Sequence, residues 1–381
     1  SRYLGKKEGS LFAMVKPSQG QKTLEQVSTD LYGLIRQFKD ADDVKAMHSF
    51  KLLQRILDEQ CIVSTSDDDY RVAVKQPKQI PCDSLQNPSD PDASYSGHKG
   101  QGYQVQVMET YTDTDDPEDK AQTLNLITHV EVERAHQSDT HALIPAIESA
   151  QERELAPKEL LADSLYGSDE NIETAKDKGV DVISPPMGRE KEGTLGLSDF
   201  HLEKSGKVVN CPQGHAPIST TRKKTRYCVA FDLAHCNACP NRSICPVKPG
   251  KKAYYLRFSD KQLRIALRRS AVETDEFKDR YRWRAGVEAT MSEFDRRTGV
   301  KRLRVRGFKA VRFSATLKAL GLNILRAAAV MAAMLAGTPD QTDPEGGCYA
   351  GINVFKERFW AVFAFFARLL SCTPFLRAYA Q

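Results

Sequence analysis

The sequence is short of several things that would classify it at once. It has two tryptophans, 8% aromatic residues and, over 381 residues, a formal net charge of only +5. A balance that small does not by itself indicate a polyanion partner. No window offers the roughly 18 uncharged apolar residues of a membrane span. The most apolar stretch, Phe359 to Leu370, is interrupted by Arg368 and reads as a buried or interfacial tail helix. The charged opening Ser1–Lys7 is not followed by an apolar core of about 7–15 residues, so no signal peptide is read there. An initiator Met is also missing from the opening Ser1-Arg2-Tyr3. Hydrophobic residues at 40% and charged residues at 28% exclude a wholly disordered, collagen-like or disulfide-knot chain. Nine cysteines, an odd number without a secretion signal, predict a reducing cytoplasm, where clustered Cys more often bind metal than pair.

Five regions are expected: a helical N-terminal region over 1–75, an α/β region over 76–187, a Cys-rich insertion over 188–255, a second α/β part over 256–336, and a linker with an aromatic tail over 337–381. Leu24, Val27, Leu31, Leu34, Ile35 and Phe38 recur at helical spacing, and a second helix is predicted from Asp43 to Cys61. Ser64–Asp69 reads as an acidic turn, 70–76 as a candidate strand, the alternative being one upstream of Ser1, and the Pro, Asp, Ser and Gly-rich 76–100 as an extended linking segment. Beyond it the pattern reads strand (102–109), strand (124–132), helix (139–153), strand (159–162), helix (169–178), strand (180–184), with helices again from Lys261, from Thr274 and over 311–335.

The charge is concentrated. Residues 251–312 carry 19 Lys/Arg against 8 Asp/Glu, a net of +11, an electrostatic footprint for polyanions. The plainer alternative is a solvated helix face. Alternation in Lys301-Arg302-Leu303-Arg304-Val305-Arg306 predicts Arg302, Arg304 and Arg306 on one side of an extended chain, facing a phosphate backbone. Within this segment Tyr281, Arg284 and Glu288 fall at i, i+3 and i+7 and share a helix face, where Arg can hold a phosphate oxygen and the carboxylate a metal. An ordinary ion pair on a helix face fits three such residues equally. Trp283 and Tyr281 read either as base-stacking or as core residues. Asp163 ends a short apolar strand before the Gly167 turn, a frequent place for metal-binding carboxylates and equally for a helix cap.

Together these segments resemble the DDE transposases of bacterial insertion sequences. The resemblance runs over most of 80–335 and includes GYQVQVMETY (102–111), ITHVEV (127–132), LLADSLYGSDEN (160–171) and YRWRAGVEATMSEFDRRTGVKRLRVRG (281–307). It implies a ribonuclease H-like mixed sheet flanked by helices. It also implies Mg²⁺ (or Mn²⁺) held by Asp163 and Glu288, phosphate neutralised by Arg284, and cutting and joining of insertion-sequence ends. Tyr281, Arg284 and Glu288 fit the family signature; its final Lys position holds Asp295, next to Arg296. The expected partner is double-stranded DNA, the terminal inverted repeats of an element, bound by a homodimer and contacted by Arg296, Arg297, Lys301, Arg302, Arg304, Arg306 and Lys309. No membrane partner is expected, and the location would be the cytoplasm, on the nucleoid.

The family's first Asp has no clear counterpart. The expectation is that it lies upstream of Ser1, with Glu109 as the fallback acid and Asp90 or Asp92 behind it. Two alternatives to an active transposase therefore stay open: a catalytically inactive DNA-binding remnant, and a ribonuclease H-like nuclease that cuts without joining.

Cys211, Cys236, Cys239 and Cys245 have a spacing that can close a tetrahedral structural zinc site, with His215 as a substitute ligand and Cys228 as an outlier. The resembling transposases carry a similar Cys-rich insertion. The insertion reads as too poor in apolar residues to make its own core, so the metal is expected to fold it, and its Lys223, Lys224 and Arg226 to touch DNA. Buried structural cysteines without metal are the alternative.

Overall fold

A computed structural model describes residues 15–66 and 69–336. The expected tail helix at 359–370 lies outside the described residues. The described residues are mixed α/β and divide into two compact units: those within 1–105 with 132–137 and 302–316, and 106–131 with 138–301 and 317–336.

The first unit opens with α1 (Gly20–Gln37), α2 (Asp42–Ala46) and α3 (His48–Gln60), followed by the antiparallel hairpin β1 (Cys61–Ser66) and β2 (Asp69–Val74). Ile35, Phe50, Leu57, Cys61 and Val72 form its core. Two expectations are corrected here. The region is not purely helical, because the β-branched Ile62, Val63 and Thr65 favour a strand, which pairs Val63 with Val72. The predicted helix 43–61 is two helices, broken where Met47 takes an extended conformation.

Residues 76–100 are not a free linker either. Arg55 of α3 donates to the carbonyls of Asp83 at 3.1 Å and Pro91 at 3.2 Å, and Glu59 accepts from the Leu85 amide at 2.6 Å. Leu85, Asp90, Ala93 and Ser94 are buried. The segment ends in β3 (Ser94–Ser96), which pairs with β4 (Gly100–Glu109); β4 is followed in the same sheet by β5 (Ile127–Arg134), starting three residues later than expected. Asp90 accepts from the Tyr103 hydroxyl at 2.6 Å and the Gly307 amide at 3.0 Å, and Asp92 accepts from the Phe308 amide at 3.0 Å. The basic run 301–306 is a series of turns, not the expected extended strand. Its charged residues are all exposed, and so is Val305, so no two-sided alternation develops.

The second unit holds α4 (Pro117–Gln122), α5 (Leu143–Glu152), the parallel pair β6 (Glu159–Leu161) and β7 (Asp181–Ile183), and between them α6 (Asp169–Asp177). Leu143, Ile147, Ala162, Ala175, Val180 and Val182 form the core of this βαβ element. A smaller module follows. It consists of β8 (His201–Leu202) paired with β9 (Val208–Asn210), β10 (Ser219–Lys223), β11 (Arg226–Phe231), α7 (Leu233–Asn237), β12 (Lys248–Pro249) and β13 (Tyr254–Ser259), the sheet order being β10-β11-β13-β12.

This module has its own apolar core, contrary to expectation. Tyr227, Val229 and Phe231 on β11 alternate inward with Tyr254, Leu256 and Phe258 on β13, joined by Phe200, Val208 and Leu263. The module therefore extends past residue 255. It is followed by α8 (Asp260–Val272), capped by Ser259 and Gln262, then α9 (Asp275–Tyr281), capped by Thr274 as predicted, a 3₁₀ turn over Arg282–Ala285, α10 (Gly286–Thr298) and α11 (Phe308–Ala336).

Among the described residues the strands form five separate small sheets, where a single mixed sheet was expected. One helix, α11, is long and apolar enough over Phe308–Met334 to cross a membrane by length and composition. Two polar anchors fix it within the second unit. Asn323 exchanges two hydrogen bonds with the backbone of Ile127, at 2.8 and 2.9 Å. Arg326 meets Glu109 at 3.1 Å and Glu293 at 2.9 Å.

Candidate functional site

Asp163 leaves the carboxyl end of β6 on a turn built around it. One carboxylate oxygen accepts from the Leu165 amide at 2.8 Å, and its carbonyl accepts from the Ser184 hydroxyl at 2.7 Å. The turn closes at Gly167 for a steric reason. A Cβ there would lie 2.0 Å from the carbonyl oxygen of Pro185, so no larger residue fits without moving backbone. From α8, Arg268 donates to the carbonyls of Gly167 at 3.1 Å and Ser184 at 3.0 Å, joining the ends of both strands; burial holds its pKa below the ordinary value. Arg264, one turn earlier, makes a two-pronged contact with Asp169 at 2.6 and 2.9 Å at the start of α6.

The helices that carry the second half of the site are tied to the same strands. Arg280, the penultimate residue of α9, pairs with Glu159 on β6 and lies 3.2 Å from Asp181 on β7. Burial acts to raise the pKa of Glu159, but hydrogen bonds from Tyr111 and Arg280 outweigh it and hold the carboxyl below its usual range. Burial and the same carboxylate push the Tyr111 hydroxyl up to about 12.

One residue beyond Arg280 the predicted trio begins. The helix tightens to a 3₁₀ turn between Tyr281 and Gly286, yet the grouping survives. Arg284 donates to Glu288 at 2.8 Å and reaches Asp163 at 3.6 Å. Tyr281 faces all three: burial raises its pKa, Arg284 lowers it, and Asp163 and Glu288 raise it. Asp163 and Glu288, far apart in sequence, thus share one cation. Glu288 is 70% exposed, which leaves its oxygens open to a ligand.

A groove of about 460 Å³ lies beside this group. Arg284, Glu288, Ser292, Asp295, Arg296 and Lys301 line it. Lys301 lies 3.5 Å from Asp295, so a lysine does stand beside the signature position that Asp295 occupies, supplied from further along the chain. Arg296 is exposed in the same groove, whereas Arg297 is spent on Glu293 at 2.8 Å. Trp283 is partly buried and is not a core residue. The guanidinium of Arg282 sits 4.1 Å from its ring and the Lys120 ammonium 5.8 Å away.

The structure does not bring every predicted acid to this group. Glu109 accepts from Thr290 at 2.5 Å and from Arg326 at 3.1 Å, a separate network joining α10 and α11. Asp90, read from the sequence as a loop acid, is 8% exposed and lies in the first unit. Its burial was not legible from its Pro- and Ser-rich surroundings. Arg302, Arg304, Arg306 and Lys309 are exposed residues of the first unit.

In the small module Cys211, Cys236, Cys239 and Cys245 line one cavity of about 30 Å³ together with His215 and His235, whose rings stack 4.3 Å apart. Burial and the neighbouring Cys245, Cys211 and Cys239 push the Cys236 thiol up to about 11, and burial raises Cys245 as well. Cys228 lies on β11 outside this cavity lining. Among the described residues, no group of three or more His, Cys, Asp or Glu side chains is set at metal-holding geometry.

A family model described as "Transposase DDE domain" matches residues 210–328. That stretch is similar to the catalytic domain of DNA transposases, and it contains the four module cysteines, Tyr281, Arg284 and Glu288. Asp163 and Glu109 precede it. Comparison with curated proteins and with solved structures returned no match.

Proposed function

We propose that this chain is a DDE-type DNA transposase that cuts insertion-sequence ends and joins them to target DNA by phosphodiester transfer. The observation that carries the reading is the convergence of Asp163, Arg284 and Glu288 within a stretch whose later part is similar to a transposase DDE domain. The element order adds support: β3, β4 and β5 share one sheet with the short α4 between β4 and β5, and α5 then leads to the parallel β6–α6–β7 unit with Asp163 just past a strand's carboxyl end, a frequent place for metal-binding carboxylates.

The donor set fits Mg²⁺ or Mn²⁺. Two carboxylates offer hard oxygen ligands, Glu288 is open to solvent, and a cation already stands between them. A divalent metal held there would supply the Lewis acidity needed to activate a water or 3′-hydroxyl and to stabilise the leaving oxygen. In this reading Asp163 and Glu288 hold the metal. Arg284 neutralises the phosphate and Tyr281 packs beside it. The groove lined by Arg296 and Lys301 receives the DNA end, and Arg302, Arg304, Arg306 and Lys309 are backbone contacts; Arg297 becomes one only by exchanging Glu293 for a phosphate. A homodimer on terminal inverted repeats, bacterial and cytoplasmic, completes the reading.

The chemistry of the four cysteines also favours Zn²⁺, although their side chains would have to close together to reach metal-holding geometry. All are soft sulfur donors around one small cavity, and a tetrahedral Cys₄ site has no open position, so the role is structural. Given the module's apolar core, the metal would rigidify the Cys-bearing loops instead of folding the whole insertion.

The test is incubation of the chain with labelled element ends and Mg²⁺ or Mn²⁺. Cleavage and joining are expected of the polypeptide once it carries the family's first Asp, and both are lost in Glu288→Gln. Cleavage without joining would identify a nuclease. Binding without either would identify an inactive DNA-binding form.

A further inference from the structure

A second charged feature lies in the small module, outside the groove described above. β10 is the edge strand of its sheet, and all five of its residues, Ser219 to Lys223, are exposed. Exposure continues through the two-residue turn Lys224-Thr225 to Arg226. The other side of the hairpin is fixed, since β11 pairs along its whole length with β13 and buries Tyr227, Val229 and Phe231. A rigid sheet therefore presents a projecting hairpin tip.

The chemistry of that tip is unfavourable in the free chain. The register sets Lys223 directly opposite Arg226, a like-charge cross-strand pair, which destabilises a hairpin. Between them Lys224 adopts φ 53°, a left-handed conformation that favours glycine or asparagine. Arg222 is balanced by Asp260 at 3.1 Å, but Lys223, Lys224 and Arg226 make no ion pair among the described residues. No Asp or Glu occurs between Glu203 and Asp232. Protection of a sheet edge accounts for one charged residue on β10. It does not account for three unbalanced cations at the turn, one of them strained.

We propose that the tip Lys223-Lys224-Thr225-Arg226 is a docking surface for the phosphate backbone of duplex DNA, a contact separate from the Arg296–Lys301 groove. It rests on the transposase reading for its partner. Phosphates supply the missing counter-charge, and the exposed Thr220 and Thr225 hydroxyls are donors suited to phosphate oxygens. The contact is independent of base sequence, because it offers no side chain fixed for reading base edges.

The test measures binding of the full chain to a fluorescent duplex by anisotropy over a potassium chloride series. The triple variant Lys223→Gln/Lys224→Gln/Arg226→Gln is expected to lose about tenfold or more in affinity, with the log–log salt slope shallower by about 2–3, at about 0.9 per phosphate contact. The charge-keeping variant Lys223→Arg/Lys224→Arg/Arg226→Lys should bind like wild type. Lys224→Gly should melt no lower than wild type while its slope falls by about one, a combination that a purely structural lysine would not give. The proposal is overturned if the Gln variant keeps the wild-type slope, or if the charge-keeping variant loses binding equally. A wild-type chain that fails to bind duplex at low salt would overturn the transposase reading, and this contact with it.

Discussion

The guanidinium of Arg284 lies 3.6 Å from the carboxylate of Asp163, a residue brought to it from the end of a strand on another part of the chain. The same guanidinium holds Glu288, so one cation stands where two acids converge. Arg284→Gln should therefore leave the acids facing without a counter-ion. The expected result is several-fold tighter Mn²⁺ binding by the free chain, read by electron paramagnetic resonance. Cleavage should fall on the order of 10²-fold, since phosphate neutralisation is lost. The melting temperature should hardly move, because partly exposed ion pairs contribute little, about 0–1 kcal/mol.

Asp163→Asn separates charge from architecture. The Asn oxygen can still accept from the Leu165 amide, so the turn survives. Unchanged thermal melting with loss of Mn²⁺ binding and cleavage is the expected outcome. A variant that keeps cleavage would remove Asp163 from the site.

Gly167→Ala tests the turn itself. The added methyl meets the Pro185 carbonyl at 2.0 Å, a backbone atom that cannot step aside cheaply. A loss of roughly 2–4 kcal/mol is expected in chemical denaturation, within the range of steric overpacking. Wild-type stability in this variant would show that the strand ends are not held together as described.

The Glu159 carboxyl carries a pH signature. Its folded pKa is lowered, so the stability it contributes is present above its ordinary value near 4.5 and is lost as the pH falls through the lowered one. In Glu159→Gln the melting temperature at neutral pH should drop by a few degrees, and part of the acid-side decline should disappear. An acid limb identical to wild type would mean that Arg280 and Tyr111 do not stabilise the charged form.

Zinc in the small module is checked by metal analysis of protein purified without chelator, with one equivalent expected. Cys236→Ser/Cys239→Ser should lose it, while the Tyr227–Phe258 core keeps the sheet folded. Protein free of zinc before substitution would leave the four cysteines as half-buried structural thiols.

Much was legible without coordinates. Alternation and capping placed β4, β6, α6, β7 and the Thr274 cap within a residue or two, because such signals are local. Helical spacing also put Tyr281, Arg284 and Glu288 on one side, and the tightened turn between them did not undo it. Other features were missed although a signal existed. The alternating RYCVAF and YYLRFS segments hold the module's core, but cysteine spacing drew attention away from them.

By itself, then, the sequence determined which residues carry charge, where local elements start and stop, and which side chains share a helix face. All of these depend on neighbours a few positions apart. Only tertiary structure decided that Arg284 joins Asp163 to Glu288, that Glu109 is engaged by Arg326 instead, that Asp90 is buried, and that Lys223 faces Arg226 with no acid between them. Those outcomes depend on contacts between distant segments, whose geometry is set by packing and strand register and leaves no periodic trace in the chain.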